Sequence, residues 1–393
     1  MTTRDRWWVL AGLLLLALNL RPAAVAVGPV LAEVTDELAL TAPLAGLLTS
    51  LPVLAFALFG ALAPALARRV GVHRVTLASL GGVVVGLGGR VTVDSPAPFL
   101  ALSMLALAGM ATANVLLPSL VKLHFPDRVG LVTALYTTAL AIGLTGALTL
   151  TVPIAEAGGG WRTGLGVWAG LALVAALPWL GLVTHDRLPP DGARDVGLLE
   201  VARTRLGLAM ALCFGLQSLQ AYVIFGWFAQ LWRDSGYSPA TAGGLLGVVA
   251  GVGIPLSLWL PAAAARRESQ RGLLLAVMGC YPVGYAALMV APHLLAVPAA
   301  ALIGVGICTF ALVLTLIGLR SRTPSGTAAL SGFTQSVGYL MAAAGPFAVG
   351  ALYDATGDWD HPLLLLTALT VPMMVVGSYV AGPRLVEDEL RSA

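Results

Sequence analysis

Long apolar runs separated by short polar breaks make up nearly the whole chain. The first covers Trp7–Leu31, and others follow at 44–66, 75–93, 98–121, 129–152 and 163–183. After a longer polar break they resume at 206–231, 240–262, 272–291, 294–318, 327–352 and 362–381. An α-helix rises 1.5 Å per residue, so about 20 residues cross a hydrocarbon core of about 30 Å. Each run therefore predicts one transmembrane helix, twelve in all. Thr41-Ala42-Pro43 and Ser238-Pro239 place a hydroxyl cap before an early proline, which is helix-start chemistry. Glycines at small-xxx-small spacing, Gly82/Gly86 and Gly243/Gly247, predict faces through which spans pack closely.

Composition agrees with this pattern. Only 10% of the 393 residues are charged and 58% are apolar, and the mean hydropathy is +0.89. Soluble domains carry about 25% charged residues, so the chain reads as an all-α polytopic membrane protein with little outside the bilayer. Its basic residues are scattered in twos and threes, without the footprint of a nucleic-acid binder. Cys213, Cys280 and Cys308 lie in apolar runs at unpaired spacings, as packing residues rather than a disulfide or metal site. The first run is too long for a cleavable signal, and no small-residue cleavage site follows it, so it is expected to be the first span. No Walker sequence, paired metal ligands or nucleophile elbow is present, and no enzymatic role, metal or cofactor is expected. His73, His124, His185, His293 and His361 fall in loops or at span ends and point to no chemistry.

The basic residues set the orientation. With a cytoplasmic N-terminus, 18 of the 22 Lys and Arg face the cytoplasm, Arg162 and Arg233 face outward, and Arg21 and Arg90 are inside spans. That bias predicts cytoplasmic termini and an even number of helices. The polar break at 188–201 is the one candidate linker, dividing the chain into bundles at 1–187 and 202–393.

The halves repeat. An offset of 198 pairs Ala42 with Ala240, Gly46 with Gly244, Arg68-Arg69 with Arg266-Arg267, Lys122 with Arg320, Pro126 with Pro324 and Trp161 with Trp359. A constant offset across six helices predicts two parallel six-helix repeats, the architecture of major facilitator transporters.

Departures from that repeat mark candidate chemistry. Arg21 lies in Asn19-Leu20-Arg21-Pro22, about 21 Å along the first span, too deep to snorkel comfortably. An arginine there costs at least about 2.5–3.5 kcal/mol on insertion scales. It is expected to face a cavity and hold a ligand's charge; the alternative is a structural arginine satisfied by helix carbonyls. Arg21 and Arg90 pair with Leu219 and Leu288, so the intramembrane charge is confined to the first half. No Asp or Glu lies mid-span, and an anionic ligand would supply the missing charge to a guanidinium fork. Arg90 has other readings beside that of a second ligand cation: near the outer end of its span it could snorkel outward or pair with Asp94 four residues on. Neutral candidates for lining the site are Asn19, Asn114, Tyr136, Gln217, Gln220, Tyr222, Gln335 and Tyr339; each could instead make an interhelical hydrogen bond.

Asn19-Leu20-Arg21-Pro22 with Val27-Gly28-Pro29, Gly46–Pro52, Asn114-Val115-Leu116-Leu117-Pro118 and Gln335–Leu340 with Gly345-Pro346 resemble the cyanate and 2-nitroimidazole permease family of the major facilitator superfamily. The resemblance implies a twelve-helix secondary transporter in a bacterial plasma membrane. It would be surrounded by lipid and monomeric, moving a small anionic or nitro-bearing solute by alternating access. The export of nitro-heterocycles or other small drugs is the alternative function, and a sensor or scaffold without transport is a more distant one. The superfamily's gating loop corresponds here to Arg68, Arg69, Gly71 and Arg74, with Arg68 where an acid usually stands.

Overall fold

The computed structural model of the chain describes residues 3–40, 42–186 and 196–392. Every regular element among them is helical. Twelve helices are long and apolar enough to cross a membrane: α1 (Arg6–Val30), α2 (Leu51–Val70), α3 (Val72–Arg90), α4 (Pro96–His124), α5 (Pro126–Ala157), α6 (Trp161–Leu182), α7 (Arg205–Asp234), α8 (Thr241–Ala265), α9 (Arg271–Val290), α10 (Ala296–Leu319), α11 (Pro324–Thr356) and α12 (Asp360–Val380). The starts of α7, α9, α10, α11 and α12 follow those of α1, α3, α4, α5 and α6 by 198 to 200 residues. The duplication seen in residue pairs therefore extends to element boundaries. Ser238 caps α8 as expected, its Oγ accepting from the Thr241 amide at 3.2 Å, whereas Thr41 lies outside the described residues. So do residues 188–195 of the expected linker; its end enters a short helix, Leu198–Arg203.

The helices gather into two compact units. The first comprises residues up to Asp127, Leu135–Leu198 and Thr323–Gly332; the second comprises Arg128–Ala134, Leu199–Arg322 and the residues from Phe333 onward. The clustering thus follows the linear halves except at the first turns of α5 and α11.

In the first unit α3 and α4 approach most closely through glycine. A Cβ on Gly86 would stand 2.5 Å from the Ala106 amide nitrogen, and one on Gly109 only 2.2 Å from the Ser79 carbonyl oxygen. The predicted small-residue face is real at Gly86 and looser at Gly82, whose nearest neighbour is the Leu105 carbonyl at 3.6 Å. A Cβ on Gly243 or Gly247 would meet no neighbouring element within 4 Å among the described residues, so no close face is seen there.

Each unit closes one end with a tryptophan on a carboxylate. Trp161 donates from Nε1 to Glu37 at 2.6 Å, and Arg162 grips Glu37, Asp94 and the carbonyls of Val91 and Val93. In the second unit Trp359 donates to Asp234 at 2.9 Å, and the Tyr353 hydroxyl donates to the same oxygen. Trp161 and Trp359 are an offset pair, so the duplicated sequence carries a duplicated clamp.

Candidate substrate-binding site

Arg90 ends α3 and is 1% exposed. Its Nε and Nη2 have no acceptor among the described residues. Asp94 does not serve, because it is held by Arg162 Nη2 at 2.8 Å. Arg90 therefore does not pair with Asp94: a buried guanidinium stands in the first unit without an answering acid among the described residues.

Arg90 lines a cavity of about 160 Å³. The wall comes from residues between Ala23 and Gly28 of α1, Leu31 just after it, Leu48 and Pro52 just ahead of and within α2, and Ser103 and Leu107 of α4. The break in α1 accounts for the space. Its helix runs Thr3–Leu20, stops at Arg21, resumes for Pro22–Val25 and passes through a 3-10 turn at Gly28–Val30. Pro22 and Pro29 lack amide hydrogens and cannot continue a regular ladder. Irregular backbone of this kind at membrane depth is tolerated where protein or a cavity meets it. A π turn at Phe56–Gly60 interrupts the neighbouring helix between Ala42–Ala55 and Ala61–Val70.

The cavity offers few polar atoms, all of matching kind. Nε and Nη2 form one edge of the guanidinium fork, the geometry that grips two oxygens of a carboxylate-like group side by side. Ser103 is 1% exposed, and its Oγ also lacks a partner among the described residues. The remaining wall is Ala, Val, Leu, Pro and Gly. A cation and a hydroxyl in an apolar chamber suit a small group bearing two or three acceptor oxygens.

Of the two arginines, Arg90 and not Arg21 lines this cavity. Arg21 is half-buried, already has an interaction partner, and is not among the residues lining this cavity. Asn19 is 1% exposed, with neither amide atom partnered among the described residues. Asn114 and Tyr136 are buried in the same unit and have partners. Sequence reasoning missed Ser103, a hydroxyl inside the apolar run at 98–121.

The second unit holds the other amides and tyrosines. Gln220 donates from Nε2 to the Leu366 carbonyl at 2.9 Å and accepts from the Tyr285 hydroxyl at 2.7 Å, so both its ends are engaged in packing α7 against α9 and α12. Gln217 reaches the Ile307 carbonyl at 3.4 Å. Tyr339 packs edge-on against Phe214 and Tyr222, with ring centroids 5.1 and 6.2 Å away, and Gln335 is fully buried with a partner.

In the loop between α2 and α3, Arg68 and Arg69 end α2 and Gly71 has φ +104°. Asp186, following α6, accepts from the amides of His73 and Arg74 at 3.1 and 2.9 Å. A Cβ on Gly71 would lie 2.3 Å from its carboxylate.

Twelve membrane-length helices in duplicated order, with a buried cation lining an apolar cavity, define a polytopic membrane carrier. The sequence matches the Major Facilitator Superfamily over residues 9–346, and the chain belongs to that superfamily. It is 36% identical to the "Uncharacterized transporter YycB" of Bacillus subtilis, over 97% of this chain and 95% of that one. It is 35% identical to the "2-nitroimidazole transporter" of Escherichia coli, over 95% of each, and 26% identical to that organism's "Cyanate transport protein CynX", over 91% of this chain and 94% of that one. Among solved structures, the proton:xylose symporter XylE shares the fold with a TM-score of 0.78 at 14% identity, covering 100% of this chain and 99% of that one. The chain is a multi-pass major facilitator transporter of the cyanate and 2-nitroimidazole permease group.

Proposed function

We propose that this transporter moves a small anionic solute, cyanate-, nitrate- or carboxylate-like, across the bacterial inner membrane by alternating access. The observation that carries this reading is the Arg90 guanidinium, buried with Nε and Nη2 unanswered on a cavity that also holds an unanswered Ser103 hydroxyl. A buried charge costs several kcal/mol unless something pairs with it, and an anion entering the cavity would recover much of that cost. The relative named for cyanate transport supports an anionic cargo. The bias of basic loops supports cytoplasmic termini, and the protein is read as a monomer surrounded by lipid.

The export of nitro-heterocycles is a second reading. It is favoured by the relative named for 2-nitroimidazole and by the apolar wall around a single cation. Thermal stabilisation of the purified protein by cyanate, nitrate, benzoate and 2-nitroimidazole separates the two. The anion reading expects a dose-dependent rise with at least one anion in wild type and at least a tenfold weaker response in Arg90→Gln, the loss of about 1.4 kcal/mol or more. Preferred binding of 2-nitroimidazole, retained in Arg90→Gln, would overturn it in favour of the second reading.

A further inference from the structure

The last half of α8 sorts its residues by face. Ser257, Leu260, Pro261 and Ala264 are buried, whereas Pro255, Leu258, Trp259, Arg266 and Arg267 are exposed. Spacings of three and four place each set on its own side of the helix. The buried side packs on the start of α5, where a Cβ on Gly130 would stand 2.2 Å from the Ala265 Cβ and 2.9 Å from the Pro261 carbonyl oxygen. The other side carries a groove of about 460 Å³. Leu258 and Trp259 line it toward one end, Arg266 and Arg267 at the other, and Ala262 and Ala263 between them. The small middle side chains leave the space that the long ones bound. Every residue lining it belongs to α8 or directly follows it, so among the described residues the groove is open on the side away from the helix.

The backbone that carries the two arginines is held in place. Gln270 donates from Nε2 to the Ala264 carbonyl at 3.0 Å and to the Arg267 carbonyl at 2.5 Å, which fixes the turn ending α8. Arg320 in turn donates to the Gln270 side chain. Other arginines of this unit are engaged: Arg320 and Arg384 donate to backbone carbonyls, and Arg322 pairs with Asp388. The guanidiniums of Arg266 and Arg267 reach no acceptor among the described residues, the neighbouring Glu268 included. Trp259 is 56% exposed on the same stripe. It also departs from the repeat: the arginines match Arg68 and Arg69 under the offset of 198, but Trp259 matches Ala61. The paired charge is common to both halves, and the ring beside it belongs to the second alone.

We propose that this face of α8 binds one anionic glycerophospholipid of the cytoplasmic leaflet. Arg266 and Arg267 hold its phosphate, and an acyl chain lies over Ala262 and Ala263 against Leu258 and Trp259. The length fits. Pro255 to Arg267 covers about 18 Å of helix, and the hydrocarbon of one leaflet is about 15 Å thick with the phosphate a few ångströms beyond. Guanidinium forks suit phosphate oxygens, and anionic headgroups gather where basic loops meet the membrane. The bias of basic residues that supports cytoplasmic termini puts this end of α8 on the cytoplasmic side. A free phosphate would use the arginines alone; a lipid uses the arginines and the apolar groove that leads from them. The site is separate from the anion reading, since none of its residues lines the Arg90 cavity.

The test is thermal unfolding of the purified, delipidated full-length protein in uncharged detergent. Dioleoylphosphatidylglycerol, dioleoylphosphatidylcholine or inorganic phosphate is added in increasing amounts. Wild type should be stabilised at lower concentrations of phosphatidylglycerol than of phosphatidylcholine, and inorganic phosphate alone should not reproduce the rise. A surface arginine near an anionic membrane contributes about fivefold, so Arg266→Gln/Arg267→Gln should need at least about tenfold more phosphatidylglycerol. Its response to phosphatidylcholine should not change. Arg203→Gln/Arg205→Gln removes the same charge outside the groove and should respond as wild type does. Ala262→Phe fills the groove with both arginines kept, and should also weaken the response to phosphatidylglycerol. Equal loss in the two double variants would reduce the effect to general attraction of charge and overturn the site. So would an unchanged response in Ala262→Phe, no preference between the two lipids in wild type, or the full rise from inorganic phosphate alone.

Discussion

Among the described residues nothing accepts from Nε and Nη2 of the buried Arg90, and that has a consequence for stability as well as binding. Replacing a buried unpaired charge with an apolar side chain of similar length removes a desolvation penalty. Arg90→Met should therefore be more stable than wild type without ligand, by about 1–4 kcal/mol, while losing stabilisation by anions. Paired melting curves with and without the best anion would check both signs. Ser103→Ala removes one neutral donor. It should weaken anion binding about three- to tenfold, or roughly 1 kcal/mol, with little change in ligand-free stability. Much of this site was not readable from the sequence. Two arginines in apolar runs with no mid-span acid could be counted, but which one was already engaged depended on contacts across the fold. Asp94 looked available to Arg90 until Arg162, 68 residues further along the chain from Asp94, was seen to hold it. His73 and His124 looked unremarkable because nothing local shows that helix ends 51 residues apart will meet.

At the scale of elements, the proline and glycine signals carried over better than the amides did. Pro22 and Gly28-Pro29 mark the break that opens the cavity wall, and the first span is broken there. Gly86 marks a helix seam, whereas Gly243 and Gly247 show that spacing alone does not say whether a neighbour is present. A direct comparison follows. Gly109→Ala would push a methyl against the Ser79 carbonyl and should destabilise by about 1–3 kcal/mol, despite alanine's better helix propensity. Gly243→Ala meets open space and should cost nothing; chemical or thermal unfolding of the two variants side by side would show it. The clamp at Glu37 carries a pH signature. Hydrogen bonds from Trp161 and then Arg162 hold the Glu37 carboxyl below the usual carboxylate range. Its contribution is fully present above the ordinary glutamate value of about 4.3 and is lost as pH falls through the lowered folded value. Glu37→Gln should melt earlier than wild type at neutral pH, and the gap should close in strong acid.

Across the whole molecule the repeat was the most legible feature. Hydropathy and the constant offset both act over distances at which local packing errors average out, so helix count and order followed from them directly. Trp161 and Trp359, an offset pair, each donate to a carboxylate in their own unit, though Glu37 and Asp234 are not themselves offset partners. The offset could not show which polar residues the fold would use internally. Gln220 satisfies Leu366 and Tyr285, and its amide serves packing in this structure. The account's central claim is that the unanswered guanidinium of Arg90 binds the cargo. Uptake of labelled cyanate, nitrate and benzoate into proteoliposomes, with wild type, Arg90→Lys and Arg90→Gln reconstituted in parallel, tests it most directly. Wild type should carry at least one of these anions, Arg90→Lys should retain part of that flux, and Arg90→Gln should fall to the level of empty vesicles. Equal anion flux in wild type and Arg90→Gln would contradict the claim.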